Sequence, residues 1–78
     1  MKYVLDAQQM QTKESTHEYL KDMLGFPEYY GRNLDALYDC LSDMEDIEIV
    51  IQNLTEETKH LLRIVNVMRA AGTEVEIV

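Results

Sequence analysis

Four aspartates in one short stretch, Asp35, Asp39, Asp43 and Asp46, come nearest in type and spacing to residues that do chemistry. On a helix, steps of three or four residues stack side chains on one face, and Tyr38 and Ser42 fall among these carboxylates. Like charges so placed cost an isolated helix roughly 0.2–0.5 kcal/mol per pair, so helix propensity does not account for them. One reading is a carboxylate patch that imitates the phosphates of a substrate before an Arg and Lys cluster in a partner. The other is a solvated acidic face, with Asp35 further favoured by the positive end of the helix, and composition alone favours this plainer reading. Tyr29 and Tyr30 lead directly onto the acidic stretch, and Tyr38 lies on its polar side. Aromatics beside desolvated charge make binding hot spots, which moves the balance toward the patch. Tyr30 itself is expected to pack over the rim of the core.

Paired carboxylates also serve as general acid and base, or as ligands for a hard metal. Here they lack an obvious pocket and a glycine-rich phosphate loop, and His17 and His60 do not stand at metal-ligand spacing. The chain therefore reads as a binding protein without catalytic residues, metal or cofactor, with both histidines at the surface or rim. Cys40 lies beside an apolar stripe and reads as a buried structural thiol rather than a nucleophile.

The elements that must position these residues follow from patterning. Met1 to Ala7 alternates Met1, Tyr3, Leu5 and Ala7 against Lys2 and Asp6, as in a strand with one buried face. Ser15 and Glu18 have capping-box spacing, Leu20, Met23 and Leu24 form a stripe, and Gly25 can end a helix, which predicts a first helix from about Ser15 to Leu24. Pro27 and Gly31 punctuate a loop. Asn33 is a good N-cap for a second helix, Leu34 to Met44, whose buried stripe is Leu34, Leu37, Leu41 and Met44. Ile47 to Gln52 and Thr73 to Val78 read as strands. Between them, Asn53 or Thr55 caps one long helix with Glu56 and Glu57 in its first turn and Gly72 after its end. Crossovers of this length make the sheet parallel, and the acidic residues of the later strands suggest that helices cover only one of its faces.

The chain has 78 residues, enough for one compact domain over residues 1–78. Seven Lys and Arg against fifteen Asp and Glu give a net charge of −8, which opposes direct contact with nucleic acid or anionic lipid and favours a basic protein partner. The opening MKYVLDAQQM lacks the basic start and long apolar run of a signal peptide, and no stretch approaches twenty apolar residues. One cysteine allows no internal disulfide, and together these features predict a soluble, unprocessed cytoplasmic protein.

From Pro27 to Leu41, PEYYGRNLDALYDCL, the chain resembles the barstar family of intracellular inhibitors of secreted ribonucleases, and His17, Leu20 and Leu24 fit the first helix of that family. The resemblance implies a two-layer α/β fold with a three-stranded parallel sheet and helices on one face. It also implies a function: stoichiometric inhibition of a basic ribonuclease, or immunity to a toxin nuclease, by a protein that is monomeric when free. In the family, the loop and second helix plug the nuclease active site. Carried onto this sequence, Asp39 takes a phosphate position with support from Asp35, and Tyr29 stacks on the nuclease histidine. Gly31 and Asn33 make close contacts, and Tyr38 stands where the family has a tryptophan. Leu34, Ser42 and Asp43 complete the expected partner-binding set. Three departures accompany the match. A glutamate of the family's binding surface falls on Val67, Met44 and Glu45 replace apolar contacts, and one helix is expected where the family has a short helix and a long one. Regulatory binding to some other basic protein is the alternative function.

Overall fold

β-Branched and alternating segments form the sheet that carries everything else. The computed structural model describes residues 1–78, in which β1 (Lys2–Asp6), β2 (Glu48–Gln52) and β3 (Glu74–Ile77) pair in that order, all parallel. Parallel neighbours require crossovers, and helices supply both of them. The chain passes through α1 (Lys13–Leu24) and α2 (Leu34–Ser42) between β1 and β2, then through α3 (Leu61–Ala70) between β2 and β3. Register aligns Tyr3 with Ile49 and Val75, and Leu5 with Ile51 and Ile77, on one face. Leu5, Ile49 and Ile51 from that face share a core with Leu20 and Leu24 of α1, Leu37 and Leu41 of α2, and Leu61, Ile64, Val65 and Met68 of α3. The other face aligns Lys2 with Glu48 and Glu74, and Val4 with Val50 and Glu76. All of these but Val50 are exposed, so the helices do cover one face only.

Several boundaries differ from the sequence expectation, each for a local reason. Met1 is 79% exposed rather than part of the buried face. Its terminal amine donates to the carbonyl of Asp46 at 2.6 Å, and its own carbonyl accepts from the Glu48 N–H at 2.8 Å. Helix α1 starts at Lys13 because Thr12, not Ser15, is its N-cap. The Thr12 hydroxyl accepts from the Ser15 N–H, and Ser15 Oγ accepts in return from the Thr12 N–H, both at 3.0 Å. A two-sided cap of this kind satisfies two donors that an open helix end leaves orphaned. Glu18 is thereby left free for another partner.

Asn33 caps α2 as expected, but the helix closes at Ser42, with Met44 donating to the Leu41 carbonyl in a final tight turn. The expected single long helix before β3 is split. Thr55 and Thr58 cap each other around a short 3-10 helix, Glu56–Thr58, and α3 begins only at Leu61. The buried Thr58 hydroxyl serves that local box, which ends the first turn instead of extending it. A short helix followed by a long one is therefore retained, in place of the single helix expected. At its far end Gly72 takes a left-handed φ of 92°, turning the chain into β3.

Leu37 is fully buried in the core that α2 shares with α3. Leu37→Ala is expected to destabilise the fold by about 2–5 kcal/mol, whereas Leu62→Ala, at a site 46% exposed on α3, costs about 0.5 kcal/mol or less. Urea unfolding of the two variants beside the parent chain measures both.

Candidate protein-binding site

The loop between α1 and α2 is built to hold one tyrosine inside and display the next. Gly25 leaves α1 with a left-handed φ of 73°, and Phe26 turns back into the core. The Tyr30 N–H donates to the Pro27 carbonyl at 3.0 Å, which closes a β-turn with Glu28 and Tyr29 at its corner. Tyr29 is 88% exposed. Tyr30 is 3% exposed, packs on Phe26 at a ring separation of 4.8 Å, and places its hydroxyl 2.7 Å from His17 Nδ1. The expectation of Tyr30 at the core rim is thus surpassed, since it lies within the core. The expectation of a surface or rim role for His17 is overturned, because the ring is 2% exposed. The signal was present in the sequence: His17, Leu20 and Leu24 stand at i, i+3 and i+7, the spacing of the buried stripe. His60 is exposed, and its Nε2 donates to the Met10 carbonyl at 3.0 Å.

Two further contacts from α1 fasten the loop. Lys21 Nζ lies 3.2 Å from a Glu28 carboxylate oxygen, and the Arg32 Nε donates to Glu18. Arg32 also donates through Nη1 to the Tyr30 carbonyl at 3.1 Å. These bonds hold Arg32 in a left-handed conformation, φ 53°, that an unsupported arginine avoids. At Gly31 the constraint is space rather than rotation, because a Cβ there would stand 3.2 Å from the Ala36 Cβ, a tight contact that asks the neighbour to shift by a few tenths of an ångström. Asn33 then turns the loop into α2: its Oδ1 accepts from the Ala36 N–H at 2.7 Å and its Nδ2 donates to the Gly31 carbonyl at 3.2 Å.

On α2 the polar side points outward. Asp35, Asp39 and Asp43 are exposed, Tyr38 is 44% exposed, and Leu34 is half-buried at the start of the helix. Ser42 is exposed, and its hydroxyl donates back to the Tyr38 carbonyl at 2.8 Å. None of the three aspartates joins a salt bridge within the chain. Asp46 does not belong with them. It lies beyond the helix in a left-handed turn, φ 55°, and its carbonyl ties down the chain's first residue. Tyr29, Gly31, Asn33, Leu34, Asp35, Tyr38, Asp39, Ser42 and Asp43 thus run consecutively along one loop and one helix. Val67, the position of the family's last-helix glutamate, is half-buried against the core and offers no charge. Met44 is likewise half-buried, while Glu45 is exposed. No three His, Cys, Asp or Glu side chains converge as a metal site, and no helix is long and apolar enough to cross a membrane.

Titration follows these contacts. Burial, assisted by the positive charges of Lys13 and Arg32, holds His17 below its usual range, so it is a neutral imidazole. Burial pushes Tyr30 up to about 12. The Arg32 hydrogen bond holds the Glu18 carboxyl below its ordinary value. Cys40 is half-buried rather than fully buried, and desolvation, then the charges of Asp43 and Asp39, push its thiol up and away from the nucleophilic thiolate.

The sequence model described as "Barstar (barnase inhibitor)" matches residues 1–76. The chain belongs to the barstar family. A protein of Bacillus subtilis (strain 168) named "Putative ribonuclease inhibitor YrdF" is 46% identical over 50 residues, 64% of this chain. The match spans 55% of that relative, so the chain covers about half the length of the curated protein that it resembles. Barstar family members are inhibitors, not enzymes.

The buried pair contributes to the pH dependence of stability at both ends of the range. Folded His17 titrates below 6.5 and unfolded histidine near that value, so the unfolded chain takes up the proton first. The contribution of a neutral buried His17 is complete above pH 6.5 and lost as pH falls from there through the folded value. Tyr30 acts at the opposite end: its contribution is complete below pH 10 and lost between 10 and about 12. Thermal melts across pH are expected to show a shallower acid limb in His17→Gln than in the parent chain. An acid limb of unchanged slope in that variant assigns the sensitivity to other groups.

Proposed function

We propose that this protein is a stoichiometric inhibitor of a basic ribonuclease, whose active site it blocks with α2 and the loop before it. The observation that carries the proposal is the set of three exposed aspartates, unpaired within the chain, beside a fastened loop whose tip is an exposed tyrosine. Family membership and the name of the Bacillus subtilis relative support the same reading. A ribonuclease active site must present cations to the phosphates of RNA. In this reading Asp39, with Asp35 beside it, occupies a phosphate position among those cations, and Asp43 adds charge at the helix end. Tyr29 stacks on a catalytic side chain of the nuclease, and Gly31 and Asn33 let the two backbones approach. Leu34, Tyr38 and Ser42 fill the surface between the carboxylates. The protein acts as a monomer in the compartment where the nuclease is made, and immunity to a toxin nuclease uses the same physics. A loop already ordered before contact loses little conformational entropy on binding, so more of the interaction energy becomes affinity.

Charge that is desolvated on binding must outweigh charge that stays in water. Asp39→Ala leaves partner cations unpaired and is expected to weaken binding by about 2 kcal/mol or more, a figure set by general alanine scanning, the barstar family's own complex included. Tyr29→Ala ranks beside it. Glu48→Ala and Glu74→Ala remove the same formal charge from the open face of the sheet, where each contributes about 1 kcal/mol at most. Titration of each folded variant against the nuclease recovered from the source cell makes the comparison. Strand glutamates that matter as much as Asp39 would move the binding face elsewhere.

A protein of charge −8 approaching a basic nuclease is steered before contact. The association rate is expected to fall steeply as salt shortens the Debye length from about 30 to about 8 Å, with a smaller change in the dissociation rate. Stopped-flow mixing over a salt series reads both, and equal sensitivity of the two rates counts against steering.

A further inference from the structure

A second charged feature lies beside the acidic face and has the opposite sign. A groove of about 480 Å³ opens where α1, the start of α2 and the start of α3 meet. Lys13 and Arg63 line it, and neither has an ion-pair partner in the chain. Both histidines of the sequence line it as well. Asp35 is the one carboxylate on its wall, and Leu34 and Ile64 form its apolar part. In a chain with fifteen acidic residues and seven basic ones, two free cations against one carboxylate around one opening are a local reversal of charge.

His17, which lines that opening, adds a donor without a partner in the chain. The Tyr30 hydroxyl, buried and with no other acceptor, gives its proton to His17 Nδ1. The neutral ring then carries its own proton on Nε2, which has no partner in the chain. No buried side-chain nitrogen lacks a hydrogen-bond partner, so Nε2 reaches solvent, and His17 lines this groove and a smaller opening that shares Lys13 with it. His60 is oriented in a similar way, since its Nε2 is committed to the Met10 carbonyl and its Nδ1 is free. Glu18 does not neutralise the site, because Arg32 already holds it.

We propose that this groove binds a small organic phosphate monoester. Lys13, Arg63 and the His17 Nε2–H would take the phosphate oxygens, and charge-assisted hydrogen bonds of this kind are about twice as strong as neutral ones. The volume falls within the range of small-molecule sites and exceeds the needs of a phosphate alone, so the organic portion lies against Leu34 and Ile64. Asp35 opposes a second anion at that end and accepts from a ligand hydroxyl instead. The groove shares Asn33, Leu34 and Asp35 with the proposed nuclease interface, yet the proposal stands without that reading, and its test requires no nuclease.

The test is a titration of the isolated full chain with ribose 5-phosphate, inorganic phosphate and chloride at matched ionic strength. Amide and imidazole NMR shifts report the binding. Saturable shifts confined to residues around Lys13, His17, His60 and Arg63 are expected, with the monoester tighter than inorganic phosphate. Lys13→Gln combined with Arg63→Gln should weaken it about tenfold or more. Both positions are exposed, and a melting curve verifies the fold. Lys59→Gln, which removes an exposed cation paired with Glu56 outside the groove, should change nothing. Shifts no larger than those of chloride, equal affinity for monoester and inorganic phosphate, or binding that survives the double substitution would each overturn the proposal.

Discussion

The hydrogen bond between the Tyr30 hydroxyl and His17 Nδ1, 2.7 Å long and buried, is the contact on which the placement of the loop before α2 depends. It joins the middle of α1 to the loop before α2, and everything displayed by that loop is placed relative to it. Two polar groups inside a core are costly apart and tolerable together. Their mutual satisfaction gives the loop a single low-energy seat. Tyr29 projects outward because Tyr30 is fixed inward, the two being adjacent on a turn closed by Pro27. The ion pairs of α1 with Glu28 and Arg32 lie on the surface and add little energy, but they bracket the anchor on both sides and limit rotation about it.

The acidic side of α2 obeys a different logic. Asp35 gains from the helix start, while Asp39 and Asp43 gain nothing from the helix dipole and repel each other. The fold accommodates them because Leu37 and Leu41, fully buried on the opposite side, hold the helix with far more energy than the repulsion removes. A sheet covered on one face allows this arrangement: the helical layer has an inner side devoted to the core and an outer side free for charge.

Much of this was legible in the sequence, and what was not has identifiable physical causes. Period-2 and period-3.6 patterns read the three strands, the Asn33 cap and the acidic face directly, since each depends on neighbours within one element. Errors arose where a residue's role depended on a partner far along the chain. His17 stood on an apolar stripe, but its burial became intelligible only with Tyr30 opposite it, thirteen residues away. Glu18 looked like a cap partner until Thr12 and Ser15 took that role and Arg32 took Glu18. Thr55 and Thr58 close a local box that an acidic first turn concealed, so one long helix was expected in place of two pieces. The basic groove left no trace in local pattern, because Lys13, His17, His60 and Arg63 come from two helical regions more than forty residues apart and meet only through packing.

That groove alters how the net charge is to be understood. A charge of −8 spread evenly would attract any basic protein in any orientation. Here the aspartates of α2 are exposed along the helix, while the two unpaired cations Lys13 and Arg63 line the groove at its flank. The charge is therefore unevenly distributed, with free cations at the groove beside an acidic helix. Under the proposed function, a nuclease whose positive patch extended over both regions would meet like charge at Lys13 and Arg63, at a cost that specificity by repulsion exploits. Under that proposal the cognate surface is basic opposite Asp39 and Asp43 and less so opposite Lys13 and Arg63. This charge pattern separates one basic nuclease from another more sharply than the total charge does.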